Sequence, residues 1–246
     1  MEKETYIFGT RAVMEAIDAG KQIDKVLMRQ DVRNDLSKEL LDALKTHKIF
    51  FQFVPGQKLN TITRKNHQGV IAFISPIVFS DIEEMVTRAF ESGKTPFVLV
   101  LDGVTDVRNF GAIVRTAECA GVDAVLVPEK NSAGINADAV KTSAGALFLV
   151  PVCRTNSIRK TLESLKKMGM QIISASEKAN KYYYETDFTS PTALVVGDEE
   201  KGISTSILSL SDDTVKIPIS GEIKSLNVSV AASVLIYETV RQRLNE

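Results

Sequence analysis

The sequence predicts an α/β protein in which a doubly wound, mostly parallel sheet follows a smaller α/β domain. First, its longest apolar runs, such as "FVLVLDG" and "TALVVG", have the length of strands and are too short to cross a bilayer. Second, such runs alternate regularly with helical patterns from Pro96 onwards. Short, continuously apolar strands that alternate with helices are typical of a parallel sheet covered on both faces.

Residues 1–75 have an alternation of their own and predict a small α/β domain. Its predicted elements are a helix over 9–20, a strand over 25–29, a helix over 35–47, a strand over 50–54, a helix near 55–62 and a strand over 69–74. Residues 76–95 begin with a proline after a strand and continue as a polar helix. We interpret this segment as a connector.

Residues 96–246 predict the main domain. Its predicted elements are a strand over 97–103, a helix over 110–121, a strand over 124–128, a helix over 136–145, a strand over 147–153, a helix over 157–169, strands over 171–176, 192–198 and 214–220, and a final helix that starts within 225–233. Ligands of such sheets bind beyond the carboxyl ends of the strands. The loops after "LVLD", "LVVG" and "VKIP" are therefore the candidate site.

The composition is that of an ordinary globular protein and excludes a disordered or membrane-embedded chain. Of 246 residues, 44% are hydrophobic and 25% charged, with a formal net charge of −1. The start "MEKETYIF" lacks the layout of a signal peptide, so we expect a cytoplasmic protein. Cys119 and Cys153 lie within apolar patterns and have no CxxC partner, which predicts buried thiols.

Charge distribution says more than the net charge. The segment between Asp42 and Asp81 contains no acidic residue, yet it contains several cations and aromatic residues. Clustered positive charge attracts phosphate whatever the net charge of the chain. We therefore predict RNA contact here, with Lys58, Arg64 and Lys65 as candidate residues.

Several common chemistries are excluded. The "GKT" at 93–95 has no glycine at the P-loop spacing, and it precedes a strand where a P-loop would follow one. No GxG occurs, which removes the dinucleotide fingerprint. The acidic trio at 198–200 favours a helix start over a metal site, and two histidines are too few for a usual zinc site, so no metal is expected.

Three motifs of the main domain resemble the SpoU, or TrmH-like, RNA ribose 2′-O-methyltransferases. They are "LDGVTDVRNFGAIVRTAECAG" (101–121), "ALVVGDEEKGIS" (193–204) and "VKIPISGEIKSLNVSVAASVLIYE" (215–238). The N-terminal "YIFGTRAVMEAI" and "HQGVIAF" are similar to the substrate-binding domain, related to ribosomal protein L30e, of members that modify guanosine in 23S rRNA. Two positions depart from the family pattern: Val107 stands where many members have Pro, and Glu200 where Gly is common.

The resemblance implies a C-terminal trefoil knot, S-adenosylmethionine bound within it, and a homodimer. By the same resemblance, Arg115 faces the cofactor of the other subunit. The implied catalytic residues are Asn109, Arg115, Glu199, Ser225 and Asn227, and the implied cofactor contacts are Gly197, Ile217 and Leu226. We place Asn109 at the N-cap of the helix that carries Arg115.

The polar residues in "SLNVSVAAS" (225–233) interrupt an apolar helix start. We expect Ser225 and Asn227 to cap the helix and to present hydrogen-bonding groups to the pocket, while Val228, Val230, Ala231 and Val234 pack behind them. The alternative is a plain N-cap at Ser225, with the later serines hydrogen-bonded to the helix backbone.

The predicted function is S-adenosylmethionine-dependent methylation of a ribose 2′-hydroxyl in RNA, with a guanosine of 23S rRNA as target. One alternative is a tRNA ribose methyltransferase. The other is a ribosome-binding assembly factor without catalysis, in which the N-terminal domain is the functional part.

Overall fold

The computed structural model describes residues 6–31 and 35–244, which form two compact units. The first unit lies within residues 1–78 and 135–137, and the second within 79–134 and 138–246. The first five residues of the predicted N-terminal domain are outside the described residues.

The first unit has a four-stranded mixed sheet. Its strands are β1 (Tyr6–Phe8), β2 (Ile23–Arg29), β3 (Phe51–Val54) and β4 (Val70–Ile74), and its helices are α1 (Thr10–Asp18), α2 (Asp35–Thr46) and α3 (Gly56–Ile62). The strand order is β1-β4-β2-β3. β2 runs parallel to β3 and antiparallel to β4, which also pairs antiparallel with β1. Strand β1 was not predicted from the sequence.

The two faces of this sheet are covered by different helices. Val13 and Ile17 of α1, and Leu40 and Leu44 of α2, are each four residues apart and buried in one cluster. This spacing places one apolar stripe of each helix on the sheet. Leu59 of α3 is buried on the other face.

The second unit contains the remaining elements. Its strands are β5 (Phe97–Asp102), β6 (Ala124–Pro128), β7 (Val152–Thr155), β8 (Gln171–Ala175), β9 (Lys181–Tyr182), β10 (Thr192–Gly197) and β11 (Asp213–Lys216). Its helices are α4 (Ile82–Glu91), α5 (Val107–Cys119), α6 (Ala137–Thr142), α7 (Ile158–Lys167), α8 (Thr205–Leu208) and α9 (Val228–Arg243). Helix α4, which lies in the predicted connector, buries Ile82 and Val86 in the core of this unit.

The seven-stranded sheet has the order β7-β6-β5-β10-β8-β11-β9. Every pairing in it is parallel, as the sequence predicts for the main domain. From β5 the chain adds β6 and then β7 on one side of β5. The later strands, from β8 to β11, are all on the other side of β5. The order therefore reverses between β5 and β10, where a doubly wound sheet has its ligand crevice.

Helices α5 and α9 pack against each other. Thr116 Oγ1 and Ser233 Oγ are hydrogen-bonded at 3.1 Å, and Ser233 Oγ also donates to Ser229 O at 2.7 Å. The hydroxyl of Ser233 is thus used within the helix pair, as the alternative interpretation of the serines expects. Helix α5 also needs a glycine on its other side, because a Cβ on Gly111 would lie 2.6 Å from Thr142 Cβ.

Several local predictions were wrong. Residues Ala146–Phe148 form a 3-10 turn and only Val152–Thr155 form the strand, so the apolar run at 147–153 is not one strand. The strand predicted over 214–220 ends at Lys216, and the short edge strand β9 was missed. Helix α6 starts a residue late and ends at Thr142, because Ala144 and Gly145 both adopt positive φ.

Two predictions of burial were also wrong. Cys119 is exposed, because it is the last residue of α5, whereas Cys153 is buried on β7. Burial raises the pKa of the Cys153 thiol to about 12, so this thiol stays protonated. Val230 is exposed, whereas Val228 is buried as predicted.

Among the described residues, no helix combines the length and the apolar character needed to cross a membrane.

Candidate active site

The site begins where the strands at the centre of the sheet end together. Gly197, the last residue of β10, pairs with Asp102, the last residue of β5. Asp102 Oδ2 accepts a 2.8 Å hydrogen bond from the backbone N–H of Ser204. The loop that follows β10 is thereby attached to the end of β5.

The loop 198–203 folds tightly back on the strand that precedes it. Asp198 Oδ1 accepts hydrogen bonds from the backbone N–H groups of Lys201 and Glu200, which hold the pKa of Asp198 below its ordinary value. A Cβ on Gly197 would lie 2.5 Å from the backbone nitrogen of Ile203. Only glycine permits this approach, because backbone atoms cannot move aside as a flexible side chain can.

Three of the predicted catalytic residues form one hydrogen-bonded cluster, the amide–carboxylate cluster of Asn109, Glu199 and Asn227. Asn227 Nδ2 donates to Glu199 Oε1 at 2.7 Å and to Asn109 Oδ1 at 3.1 Å. Glu199 Oε1 also accepts from the backbone N–H of Val228 at 3.3 Å. The cluster therefore joins the start of α5 and the loop after β10 to the start of α9.

The N-caps differ from the prediction. Asp106 caps α5, with Oδ1 accepting from the backbone N–H of Arg108 and Asn109, so Asn109 lies in the first turn and its amide is free for Asn227. Asn227 alone caps α9, because its Oδ1 accepts from Ser229 N at 2.9 Å. Ser225 precedes the cap, is exposed, and makes no side-chain hydrogen bond to the described residues.

The three predicted cofactor contacts line one cavity of about 200 Å³, which we call the first cavity. Gly197, Ile217 and Leu226 all lie in its wall, together with Ser225 and Glu199. Ile203 and Val215 add apolar surface. The segment 218–227 that forms one side of this cavity is exposed along its length.

A second cavity, of about 250 Å³, lies beside the first. Asn109 and the loop 103–106 line it from one side, and Asp198, Glu199 and Glu200 line it from the other. Glu199 lines both cavities, as does Val228. The amide–carboxylate cluster therefore stands where the two cavities adjoin.

Arg115 lies apart from the cluster on the same helix as Asn109. Its side chain is exposed and lines neither cavity of this chain. Within residues 6–31 and 35–244, its guanidinium makes no hydrogen bond or ion pair. A guanidinium in this state is available to an anion supplied from outside the chain.

The candidate RNA-binding residues belong to the first unit. Lys58 lies on α3, and Arg64 and Lys65 follow in the next loop, all three exposed. His67 fixes the end of this loop, because Nδ1 accepts from Gly69 N at 3.0 Å and Nε2 lies 2.9 Å from Asn60 Oδ1.

Part of the wall of the first cavity was not predicted from the sequence. Ser176, Glu177 and Lys178 line it from the loop after β8, and Lys216 lines it from the end of β11. The sequence did contain a signal for this wall, because "QIISAS" is an apolar strand that ends in serine. Ligands bind beyond the carboxyl ends of such strands, so the loop after this strand was a candidate like the other three loops.

Comparison with known proteins decides the family. Residues 96–237 match the model of the SpoU rRNA Methylase family, and residues 6–78 match the model named RNA 2′-O ribose methyltransferase substrate binding. The chain belongs to the SpoU family. Within that family it is an RNA methyltransferase, as the resemblance of its three motifs predicts.

Relatives of this SpoU methyltransferase match over almost its whole length. A protein of Staphylococcus saprophyticus named as a TrmH family tRNA/rRNA methyltransferase is 36% identical over 241 residues, which is 98% of this chain and 97% of the relative. The SpoU methyltransferase AviRb from Streptomyces viridochromogenes, solved in complex with AdoMet, has 25% identity and a TM-score of 0.64, covering 99% of this chain and 92% of its own. A TrmH/SpoU tRNA modifying enzyme of A. aeolicus has 32% identity and a TM-score of 0.57, and the match covers 66% of this chain and 84% of that enzyme.

The described residues contain no group of three or more His, Cys, Asp or Glu side chains arranged to hold a metal ion.

Proposed function

We propose that this SpoU methyltransferase transfers the methyl group of S-adenosylmethionine to a ribose 2′-hydroxyl, and that its target is a guanosine of 23S rRNA. The single observation that carries the proposal is the position of the amide–carboxylate cluster. It adjoins a cavity suited to the methyl donor on one side and a second cavity, open to a substrate, on the other.

The first cavity fits the chemistry of S-adenosylmethionine. Ile203, Ile217 and Leu226 offer apolar surface for an adenine ring, next to the backbone of the strand ends. Charged side chains of both signs, among them Glu177 and Lys178, suit the amino and carboxylate groups of the methionine part. When bound, S-adenosylmethionine supplies a methyl group that its sulfonium already activates.

The protein has to align the 2′-oxygen with the methyl carbon and favour loss of the hydroxyl proton. Alignment of reacting groups contributes about 7–11 kcal/mol when they are held close. We assign it to the cluster, in which Glu199 and Asn109 face the second cavity and Asn227 fixes both. Ser225, which has no partner among the described residues, is a further hydrogen-bonding group for the donor.

We propose that Arg115 stabilises charge at the 2′-oxygen. A guanidinium, with a pKa above about 12, is a poor general base. It binds a phosphate bidentately, and its charge stabilises the alkoxide that develops as the proton leaves. Because Arg115 lines neither cavity of its own chain, this role requires the site of a second subunit.

We therefore propose a homodimer. Support comes from the apolar side chains exposed beside the site, since Ile219, Ile223, Leu226 and Val230 all face solvent in the single chain. We also propose that the tail is threaded into a trefoil knot, in which residues 217–227 and the loop after β10 together enclose the donor. The contact of Asn227 with Glu199 supports this, because it joins these two segments.

The choice of rRNA rests on the N-terminal domain, residues 1–75, with Lys58, Arg64 and Lys65 exposed on it. The tRNA alternative has support of its own, because the relative from A. aeolicus is named a tRNA modifying enzyme. Either substrate implies a cytoplasmic enzyme.

Transfer of labelled methyl groups tests the proposal. The purified protein is incubated with tritiated S-adenosylmethionine and, separately, with 23S rRNA and tRNA transcripts that carry no modification. Label in the 23S transcript, mapped to the 2′-oxygen of one guanosine, is the expected result. Label confined to tRNA would show that the substrate is tRNA and not 23S rRNA. The absence of label from both RNAs would overturn the proposed reaction.

A further inference from the structure

A third concavity of the second unit, of about 790 Å³, lies along the carboxyl ends of β5, β6 and β7, and we call it the groove. It shares Gly103, Thr105 and Asp198 with the second cavity. The groove therefore continues from the cavity proposed for the target nucleotide, in the direction away from β8 and β11. Neither the first nor the second cavity reaches β6 or β7.

The walls of the groove are held by backbone hydrogen bonds. The loop after β6 is attached at both ends, because Ala133 N donates to Val104 O at 2.9 Å and Glu129 N donates to Thr155 O at 2.8 Å. Asn131 in this loop has a φ of 58°, a conformation that asparagine tolerates better than most residues. The position of the neighbouring Lys130 on the groove wall is thus set by the fold.

The groove is lined by two carboxylates, one guanidinium and two ammonium groups. Its carboxylates, Asp102 and Asp198, each accept backbone N–H hydrogen bonds. Its arginine, Arg159, is paired with Glu163 and donates to Ser206 O.

Two ammonium groups remain. Lys130 and Lys201 line the groove, and within the described part of the chain neither Nζ makes an ion pair or hydrogen bond. The rest of the lining is rich in hydroxyl groups, from Thr105, Ser157, Ser204, Thr205 and Ser206. Free ammonium groups and hydroxyls along an open groove are the contacts that nucleic-acid backbones receive.

We propose that the groove binds the RNA backbone next to the methylated nucleotide, with Lys130 and Lys201 contacting its phosphates. The inference rests on the proposed function for its substrate, and it adds the path of the strand and two phosphate-binding residues. Because the contacts are to phosphates, they fix the position of the strand without reading its sequence.

The test compares the wild type with Lys130→Ala/Lys201→Ala and with Lys167→Ala. Lys167 ends α7, is exposed and lies outside the groove, so this control makes the same kind of change elsewhere in the unit. Binding to a 23S rRNA transcript is measured between about 50 and 200 mM salt, together with the KM for RNA. Calorimetry of Lys130→Ala with S-adenosylmethionine measures donor affinity.

Loss of two phosphate contacts is expected to lower the slope of log K against log salt by about 1.4 for single-stranded RNA. The KM for RNA is expected to rise about tenfold, with the donor affinity of Lys130→Ala as in the wild type. An unchanged slope and KM in the double variant, or equal changes in Lys167→Ala, would refute RNA binding by the groove. Neither outcome would contradict methyl transfer by the wild type. If the wild type binds RNA but methylates none, while the double variant still shows the lower slope, the proposed function is overturned and the RNA-binding role of the groove is supported.

Discussion

Asn227 performs two tasks that only an amide side chain can combine. Its Oδ1 accepts from Ser229 N and so caps α9, while its Nδ2 donates to Asn109 and Glu199. A carboxylate would cap a helix equally well but has no hydrogen to donate. The two tasks can therefore be separated by a single substitution.

In Asn227→Asp, the free energy of unfolding is expected to fall by less than about 1 kcal/mol, because the cap is kept. Methyl transfer is expected to fall about 100-fold, because the cluster loses its donor and gains a charge beside Glu199. Urea unfolding and a labelled-methyl assay measure the two effects. Adding Glu199→Gln removes the repulsion and supplies an amide that donates in place of Asn227. Full turnover in Asn227→Asp would contradict a positioning role for the cluster.

A substitution of Arg115 can separate the effect of its charge from that of its planar geometry. Arg115→Lys keeps a cation but loses the planar fork that binds phosphate bidentately. The rate of methyl transfer is expected to fall about 100-fold, with donor affinity unchanged in calorimetry. Arg88→Lys, at an exposed arginine of α4, is the matched control. Near-normal turnover of Arg115→Lys would argue against the proposed stabilisation.

At the scale of elements, the loop 198–203 depends on its close return to β10. The loop carries Glu199 and also lines the first cavity, so its conformation determines the shape of both the proposed donor site and the cluster. Gly197 is the residue that permits this return, since any side chain there meets the backbone of Gly202 and Ile203.

Gly197→Ala is expected to cost about 1–3 kcal/mol of unfolding free energy, as overpacked sites do. It is also expected to weaken S-adenosylmethionine binding at least about tenfold, because the loop has to move. Gly93→Ala, which follows α4 and lines neither the first nor the second cavity, is the control for donor affinity, since a Cβ there meets nothing within 4 Å and its positive φ affects stability alone. Chemical denaturation and calorimetry provide the readouts. Wild-type donor affinity in Gly197→Ala would refute this dependence.

The C-terminal end of α9 is anchored by a nearly buried carboxylate. Glu238 accepts from Arg241 Nε at 2.8 Å and from Gln242 Nε2 at 2.8 Å. The Oε1 of Gln242 in turn accepts from Phe188 N, which ties the helix to the chain before β10. The hydrogen bonds from Arg241 lower the pKa of Glu238 below its ordinary value.

A carboxylate with a lowered pKa stabilises the folded state above its unfolded pKa, about 4.3, and stops doing so as the pH falls through its folded pKa. Glu238→Gln is therefore expected to lower the unfolding free energy at pH 7 by about 1 kcal/mol, since hydrogen bonds to a charged group are lost. The difference from the wild type should shrink as the pH is lowered below about 4. Thermal unfolding across pH measures this, and a difference independent of pH would contradict the assignment.

At the scale of the whole molecule, the proposed mechanism requires more than one chain. The three cavities are proposed to hold the donor, the target and the adjoining strand, and Arg115 lines none of them from its own α5. The exposed apolar side chains near the first cavity offer the surface through which a second copy would bring its own Arg115.

Ile223→Lys/Val230→Lys is expected to convert a dimer to monomers at micromolar concentration, because Ile223 is 79% and Val230 48% exposed in the single chain. Methyl transfer should fall together with dimerisation. Phe148→Lys, at a residue 59% exposed after α6, is the control. Sedimentation velocity gives the association state. A monomeric wild type, or a variant that stays dimeric, would overturn the proposed assembly.

The sequence by itself determined the order and type of most elements, because apolar period and turn residues are local properties. It also placed Asn109, Glu199 and Asn227 at strand ends and helix starts of one sheet edge. Only the tertiary structure decided that the amide of Asn227 joins the other two, and that Asp106, three residues earlier than predicted, caps α5. Only the tertiary structure shows the groove, since Lys130 and Lys201 are 71 residues apart in the chain. Contacts between distant segments depend on how the strands are ordered in the sheet, and a local pattern carries no information about that order.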